Sequence, residues 1–346
     1  MRQPCEAYYT VLAVKHVVVI GASAGGIETL RTLVGALPGD FGAPICIVLH
    51  TSPTSPGVLG DILNRSGPLT AVTPRSGERL KPGIIYVAPP DCHMLLEPGI
   101  VRLTKGPKEN RFRPAIDPLF RSAAQIYGPN VIGVILTGNL DDGTAGLWAV
   151  KQLGGVAIVQ DPEDALFPAM PENALQSVRV DHVVPLSDIA PLLRRLTSVP
   201  APAEVTSVPE TVEVEVKIAK EQDALDAGIE RIAKPSRYSC PECHGVLLEI
   251  NEGGPLRFRC HTGHAYSVES LLSAIHDGVE ETLWESVRAS HEAERLMQEM
   301  ARHLESAGHA DAQAKELTEG AREMRRRSDV IREMLAAREE IAAPKA

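Results

Sequence analysis

The chain predicts a doubly wound α/β domain with a mostly parallel sheet, followed by a small cysteine-bearing segment and a helical pair. Three observations predict it. Between Val17 and about Leu196, short β-branched runs alternate with amphipathic stretches, as in consecutive βα units. Cys240, Cys243 and Cys260 gather in one short segment, whereas Cys5, Cys46 and Cys92 are scattered. Beyond Val268, apolar residues recur at helical spacing. The 346 residues exceed one typical domain of about 150, and the 44% apolar content supplies a sizeable core.

HVVVI (16 to 20) is a buried strand that leads through a glycine turn into the periodic helix GIETLRTLVGAL. PICIVL (44 to 49) is the next strand, and GVLGDILNRS follows as a helix. IIYVAP (84 to 89) is a strand, and MLLEPGIVRLT folds back as a hairpin. AIDPLFRSAAQIYG reads as a helix, VIGVILTG (131 to 138) as a buried strand, TAGLWAVKQLG as a helix and VAIVQ (156 to 160) as a strand. The expected domain covers residues 15–196.

Residues 197–236 read as a linker, because SVPAPAEVTSVP is too rich in proline and small polar residues to bury a core. A short helix is expected near Asp223 to Ile232. Residues 237–267 read as a zinc-ribbon-like segment, a short β-ribbon around RYSCPECHGVLLEINEGG. Val268 to Leu304 and Ala312 to Ile341 are expected helices, the second burying Leu317, Ala321, Met324, Ile331 and Leu335. The break at SAGHAD makes an antiparallel pair or coiled-coil tail over 268–342.

Acidic residues number 45 against 35 basic ones, and a net charge of −10 repels a phosphate backbone. Aromatic residues are only 4%, with Trp148 and Trp284 as the two tryptophans, so base-stacking platforms are scarce. Nucleic acid is therefore disfavoured as a partner. No stretch approaches the roughly 18 apolar residues of a membrane helix. Glu6 and Lys15 interrupt any apolar export signal, so the expected address is cytoplasmic.

VVVIGASAGG places Ser23 in G-x-S-x-G between a strand and a helix, where a sharp turn can present its hydroxyl above the sheet. The backbone amides near Ala24 and Gly25 then face a developing oxyanion. The Gly21–Gly26 turn serves equally well as a phosphate cradle, although it does not fit G-x-G-x-x-G. On that alternative the chain is a non-catalytic phosphate- or nucleotide-binding signalling module. His50 ends the second strand and can act as the base a hydroxyl needs near pH 7. Asp141 and Asp142 follow VIGVILTGNL, where a carboxylate can orient the imidazole or simply cap a helix. All three residue types occupy strand ends, the place where open α/β sheets bind ligands. The order Ser, His, Asp differs from the Ser, Asp, His of α/β-hydrolases.

These residues resemble a known family. VVVIGASAGG, IVLH, YVAPPDCHM, NRFRPAIDPLF, LTGNLDDGTAGL and QDPEDALFPAMPENAL are similar, in that order, to the catalytic domain of CheB-type protein-glutamate methylesterases of bacterial chemotaxis. The resemblance implies that Ser23 is the nucleophile, His50 the base and Asp142 the triad carboxylate. It implies a serine hydrolase that demethylates glutamate methyl esters on the cytoplasmic helices of chemoreceptors, with no catalytic cofactor, and that can also deamidate glutamine. It places Arg111 and Arg113 near the substrate. Ala24, Thr51 and Asn139-Leu140 depart from the usual threonine, methionine and Met-Gly. About fifteen residues precede the first strand, so no receiver domain is expected. A zinc-ribbon and helical extension of this kind implies a docking role, through a signalling partner or self-association.

SCPECHG and FRCHTGH give C-x2-C, sixteen residues, then C-x3-H. Cys240, Cys243, Cys260 and His264 are the candidate ligands of a structural Zn2+, with a reduced cysteine cluster as the alternative.

Overall fold

The computed structural model describes residues 15–200, 207–221, 223–251, 253–307 and 312–342. Seven parallel strands form the central sheet in the order β3-β4-β2-β1-β7-β8-β9: β1 (Val17–Ala22), β2 (Ile45–Leu49), β3 (Thr70–Val72), β4 (Ile84–Val87), β7 (Val131–Ile135), β8 (Val156–Gln160) and β9 (His182–Val184). β5 (His93–Glu97) and β6 (Ile100–Thr104) form the expected antiparallel hairpin outside that sheet.

Strand β1 is buried throughout, so both of its faces read apolar. Alternate side chains enter two different cores. Val17 and Val19 pack with α3 (Ile116–Tyr127) and α4 (Thr144–Gln152) on one side, through Ile116, Phe120 and Leu147. Val18 and Ile20 pack on the other with α1 (Gly26–Ala36) and α6 (Leu186–Ser198), through Leu30, Leu33 and Leu193. α2 (Leu59–Asn64) belongs to this layer through Leu59 and Leu63, whereas α5 (Ala169–Ser177) joins α3 and α4 through Met170 and Ala174. The chain leaves β1 toward β2 on one side, and β7 later inserts on the other. The switch in strand order thus falls at β1, the place where open sheets leave a crevice.

The stretch expected as a linker is structured from Glu210 onward. It forms α7 (Glu210–Ala219), α8 (Ala224–Ala227) and α9 (Ile229–Ile232). Val212, Val216 and Ala219 join the core beneath α3, while Val214 and Ile218 pack with Ala224, Ile229 and Ile250. Next comes a four-stranded antiparallel sheet of β10 (Lys234–Ser239), β11 (Val246–Ile250), β12 (Arg257–Cys260) and β13 (Ala265–Ser267). The described residues up to Leu271 form one compact unit.

The second unit begins at Leu272 and holds most of α10 (Val268–Ser306) and all of α11 (Ala312–Ala342). Ala321 and Leu335 are buried as the heptad pattern requires, and Leu317, Met324 and Ile331 are half-buried. Ser328 fills the gap in that stripe and meets His291 Nε2 at 2.7 Å. Among the described residues, no helix is long and apolar enough to cross a membrane.

Candidate active site and metal centre

Ser23, His50 and Asp142 follow the C-terminal ends of β1, β2 and β7, three strands adjacent in the sheet. The register aligns those ends, with Ala22 beside Leu49 and Gly21 beside Ile135. Ladder bonds continue past the strands: the His50 amide donates to Ala22 O at 3.2 Å, and the Ser23 amide to Thr137 O at 3.0 Å. Thr137 Oγ1 donates to Ala24 O at 3.1 Å, so β7 grips the serine turn from both sides. Gly25 turns the chain at φ 74°, a left-handed conformation that L side chains resist. Gly138 lies so close that a Cβ there would fall 2.8 Å from Ser23 Cβ and 2.1 Å from Met170 Sδ.

His50 Nδ1 lies 3.1 Å from Ser23 Oγ, and His50 Nε2 lies 2.6 Å from Asp142 Oδ2. An ionised carboxylate can only accept, so Nε2 carries the proton and Nδ1 is left to receive one from the serine. The histidine and aspartate side chains are 4% and 2% exposed. Phe112 stacks on the imidazole with centroids 3.8 Å apart and planes within 3°.

Five donors converge on Asp142. Oδ2 accepts from His50 and from the Ile116 amide at 2.7 Å. Oδ1 accepts from Asn110 Nδ2 at 2.9 Å, the Gly143 amide at 3.0 Å and the Asp117 amide at 3.3 Å. Burial pushes this carboxyl upward, but the hydrogen bond and charge of His50, with the Ile116 and Asn110 donors, hold it below the usual carboxylate range. Nearby Asp117 is pushed up to about 7, by burial first and then by the Asp142 charge.

Asp141 points elsewhere, accepting from Ser267 Oγ at 2.6 Å. Burial pushes it up to about 8. A carboxyl raised on folding stabilises the native state fully only below its unfolded pKa, and that contribution is lost as pH rises through the folded value. Asp141→Asn should therefore raise the melting temperature more at pH 8 than at pH 5, by about 2–4 °C per kcal/mol relieved. Parallel pH profiles for the two proteins, measured by calorimetry, would contradict this.

Other residues singled out in the sequence have structural partners. Arg113, expected to face substrate, turns inward: Nε and Nη2 donate to Asp91 Oδ1 at 2.9 and 2.6 Å, and Nη1 to Gly106 O at 2.9 Å. Its guanidinium closes the loop on itself. Arg111, half-buried on the same loop, takes φ 75°. His93 is fully buried, with Nε2 bonded to Pro107 O at 2.8 Å and Nδ1 accepting from the Ala115 amide at 3.3 Å, so it ties both ends of the loop carrying Asn110 and Phe112. Met170 is core, while Phe167 and the 70% exposed Leu166 border the turn at Gly25.

Sequence reasoning missed Asn110, Phe112, Thr137 and Gly138. The phrases NRFRPAID and LTGN carried them, but nothing local marked which of these residues would lie against Ser23, His50 and Asp142.

The metal candidates also converge. Single ligand atoms of Cys240, Cys243, Cys260 and His264 lie within 4.8 Å of one another. Cys243 Sγ and Cys260 Sγ are 3.6 Å apart, and His264 Nδ1 lies 3.6 Å from Cys260 Sγ and 3.7 Å from Cys240 Sγ. Tetrahedral ligands about 2.1–2.3 Å from a common centre are separated by about 3.5–3.8 Å, so the donor set fits. His264 Nε2 lies 3.7 Å from Glu242 Oε2, a carboxylate suited to orient a ligating imidazole.

The family model described as CheB methylesterase matches residues 18–193. A Leptospira interrogans relative is 42% identical over 180 residues, covering 52% of this chain and 93% of its own. The Anaeromyxobacter dehalogenans protein-glutamate methylesterase/protein-glutamine glutaminase 2 is 39% identical over 182 residues, 53% of each chain. This chain thus spans about half of that longer relative. The crystal structure of the Thermotoga maritima CheB methylesterase catalytic domain superposes with a TM-score of 0.51 at 38% identity, covering 52% of this chain and 98% of that one.

Proposed function

Because this chain belongs to the CheB methylesterase family, we propose that it hydrolyses glutamate methyl esters on chemoreceptors, with Ser23, His50 and Asp142 as its catalytic triad. The observation that carries the reading is the continuous hydrogen-bonded relay from Ser23 Oγ through His50 to Asp142 Oδ2.

His50 Nδ1 takes the Ser23 proton as Oγ attacks the ester carbonyl. Asp142 holds Nε2–H and stabilises the imidazolium. Amides at Ala24 and Gly25, beside the start of α1, receive the oxyanion. Collapse expels methoxide, which leaves as methanol with the proton from Nδ1. Water then gives a proton to Nδ1 as it attacks the acyl-enzyme, and collapse of that second intermediate breaks the bond to Ser23 Oγ, which takes the proton back from Nδ1 as glutamate is released. The same steps applied to a glutamine side chain expel ammonia, which fits the glutaminase in the name of the Anaeromyxobacter relative.

The phosphate-cradle alternative finds no such support, because Gly21 lies within β1 against Ile116 and the Ser23 hydroxyl meets the imidazole. Arg111, on the loop beside the candidate site, is a candidate to meet an acidic receptor segment, and the cytoplasm, where such segments lie, is the proposed compartment. Purified full-length chain should release methanol from methylated receptor, and a fluorophosphonate should label Ser23 as located by peptide mass spectrometry. A chain that does neither would refute the reading.

We assign Zn2+ to Cys240, Cys243, Cys260 and His264 as a closed structural site within residues 237–267, taking no part in the chemistry. The 15–196 segment is the proposed catalytic module and 268–342 the helical tail, available for a signalling partner or a second copy. Metal analysis should find close to one zinc per chain, and Cys243→Ser should lower zinc affinity by at least about 10-fold. Stoichiometric absence of zinc from protein purified without chelator would overturn the assignment.

A further inference from the structure

Asn110 lies at the meeting point of the catalytic module and the four-stranded sheet. It is buried, on the loop between β6 and α3, with a backbone φ of 49°. Nδ2 donates to Asp142 Oδ1 at 2.9 Å and to Asp117 Oδ2 at 3.0 Å. Oδ1 accepts from the Ser267 amide at 2.9 Å and from Ser270 Oγ at 3.0 Å. Both amide protons and both oxygen lone pairs are therefore used. The orientation of the amide is determined, since the Ser267 N–H can face only the oxygen and the carboxylates require the nitrogen.

The loop is held by main chain as well. The Asn110 amide donates to Ala265 O at 2.8 Å, and the Ala265 amide to Lys108 O at 3.2 Å, so β13 runs alongside it. Ser267 Oγ meets Ser270 Oγ at 2.8 Å and donates to Asp141. Ser267 and Ser270 are 9% and 0% exposed, and both lie beyond the 18–193 segment that matches the family.

We propose that Ser267 and Ser270 are positioning residues for the esterase reaction: they clamp the Asn110 carboxamide, which fixes the Asp142 carboxylate against His50. The C-terminal sheet is on this view a working part of the catalytic centre rather than an appendage to it. The inference rests on the triad reading above. Without the Ser270 hydroxyl and the Ser267–Asp141 tie, the Asn110 oxygen keeps only the Ser267 main-chain amide, and the looser carboxamide holds Asp142 Oδ1, and through it His50, less firmly aimed at Ser23.

The test compares full-length wild type with Ser267→Ala/Ser270→Ala, reading kcat, KM and the downfield proton resonance of His50 Nε2–H. The expected result is a fall in kcat of about 10-fold at unchanged KM, with that resonance shifted or broadened. Ser270→Thr, which keeps the hydroxyl, should recover turnover. A folded double variant with wild-type kcat and an unmoved resonance would overturn the proposal. So would a loss of activity that only tracks the loss of folded protein. Should the double variant not fold, Ser270→Ala alone gives the same comparison with a smaller expected fall. If wild type lacks turnover, or Ser23→Ala retains it, the triad reading itself has failed; Ser23-dependent turnover indifferent to Ser267 and Ser270 sinks only this inference.

Discussion

Asp142→Asn is expected to cut turnover of a methyl-glutamyl ester by about 10⁴-fold while KM changes little. The reason lies in the donor set around the carboxylate. Three N–H groups, from Asn110, Asp117 and Gly143, aim at Oδ1, whereas Oδ2 meets the Ile116 amide and the imidazole. An amide side chain must put its oxygen on one of these sites and its NH2 on the other. Facing three fixed donors with an NH2 is the worse choice, so the oxygen takes the Oδ1 position and the NH2 turns to His50. Nε2 must then accept, the proton moves to Nδ1, and the imidazole can no longer take the Ser23 proton. Nitrogen-15 spectra of His50 should report the reversed tautomer in a protein that still melts cooperatively. Turnover within about 10-fold of wild type would show that Asp142 does not set the tautomer.

Ser23→Ala should abolish the covalent route altogether. Only a residue of about 10³–10⁴ over the water reaction should survive, from the amides and from substrate binding. The substitution keeps the Cβ that packs toward Gly138 and removes only Oγ, so the turn has no reason to rearrange. Fluorophosphonate labelling should disappear with the activity. Combining Ser23→Ala with Asp142→Asn should cost little more than Ser23→Ala alone, because residues acting as one unit do not add. Retained turnover in the serine variant would require another nucleophile and end the mechanism.

The candidate triad was legible because Ser23 and His50 directly follow buried, β-branched strands and Asp142 lies in the loop after a third, and strand ends carry chemistry in this class of sheet. That β1 lies between β2 and β7 was not legible, since strand order depends on long-range packing. Asn110 shows the same limit. Its partners Asp142 and Ser267 lie 32 and 157 residues away, and no local pattern announces either. The segment ETVEVEVKIA reads as polar, with valine alternating with glutamate, yet it forms α7. Its valines reach two separate cores, and Glu215 is held ionised in the interior. Burial works against that charge, but Arg121, Arg257 and Arg259 bring it well below the usual carboxylate range. Tertiary partners overrode the local pattern.

Those arginines bear on how the chain can be divided. Arg259 bonds both Glu109 and Glu215, Arg257 bonds Glu215, and Arg121 pairs with Glu109, all of them shielded from solvent. They come from the loop before α3, from α3 itself, from α7 and from β12. Trimming the protein after residue 196, just past the 18–193 segment that matches the family, would leave Glu109 and Arg121 on a raw face without two of their counter-charges, and orphaned interior charges are costly. A truncated enzyme intended for crystallisation or assay should therefore extend through Leu271.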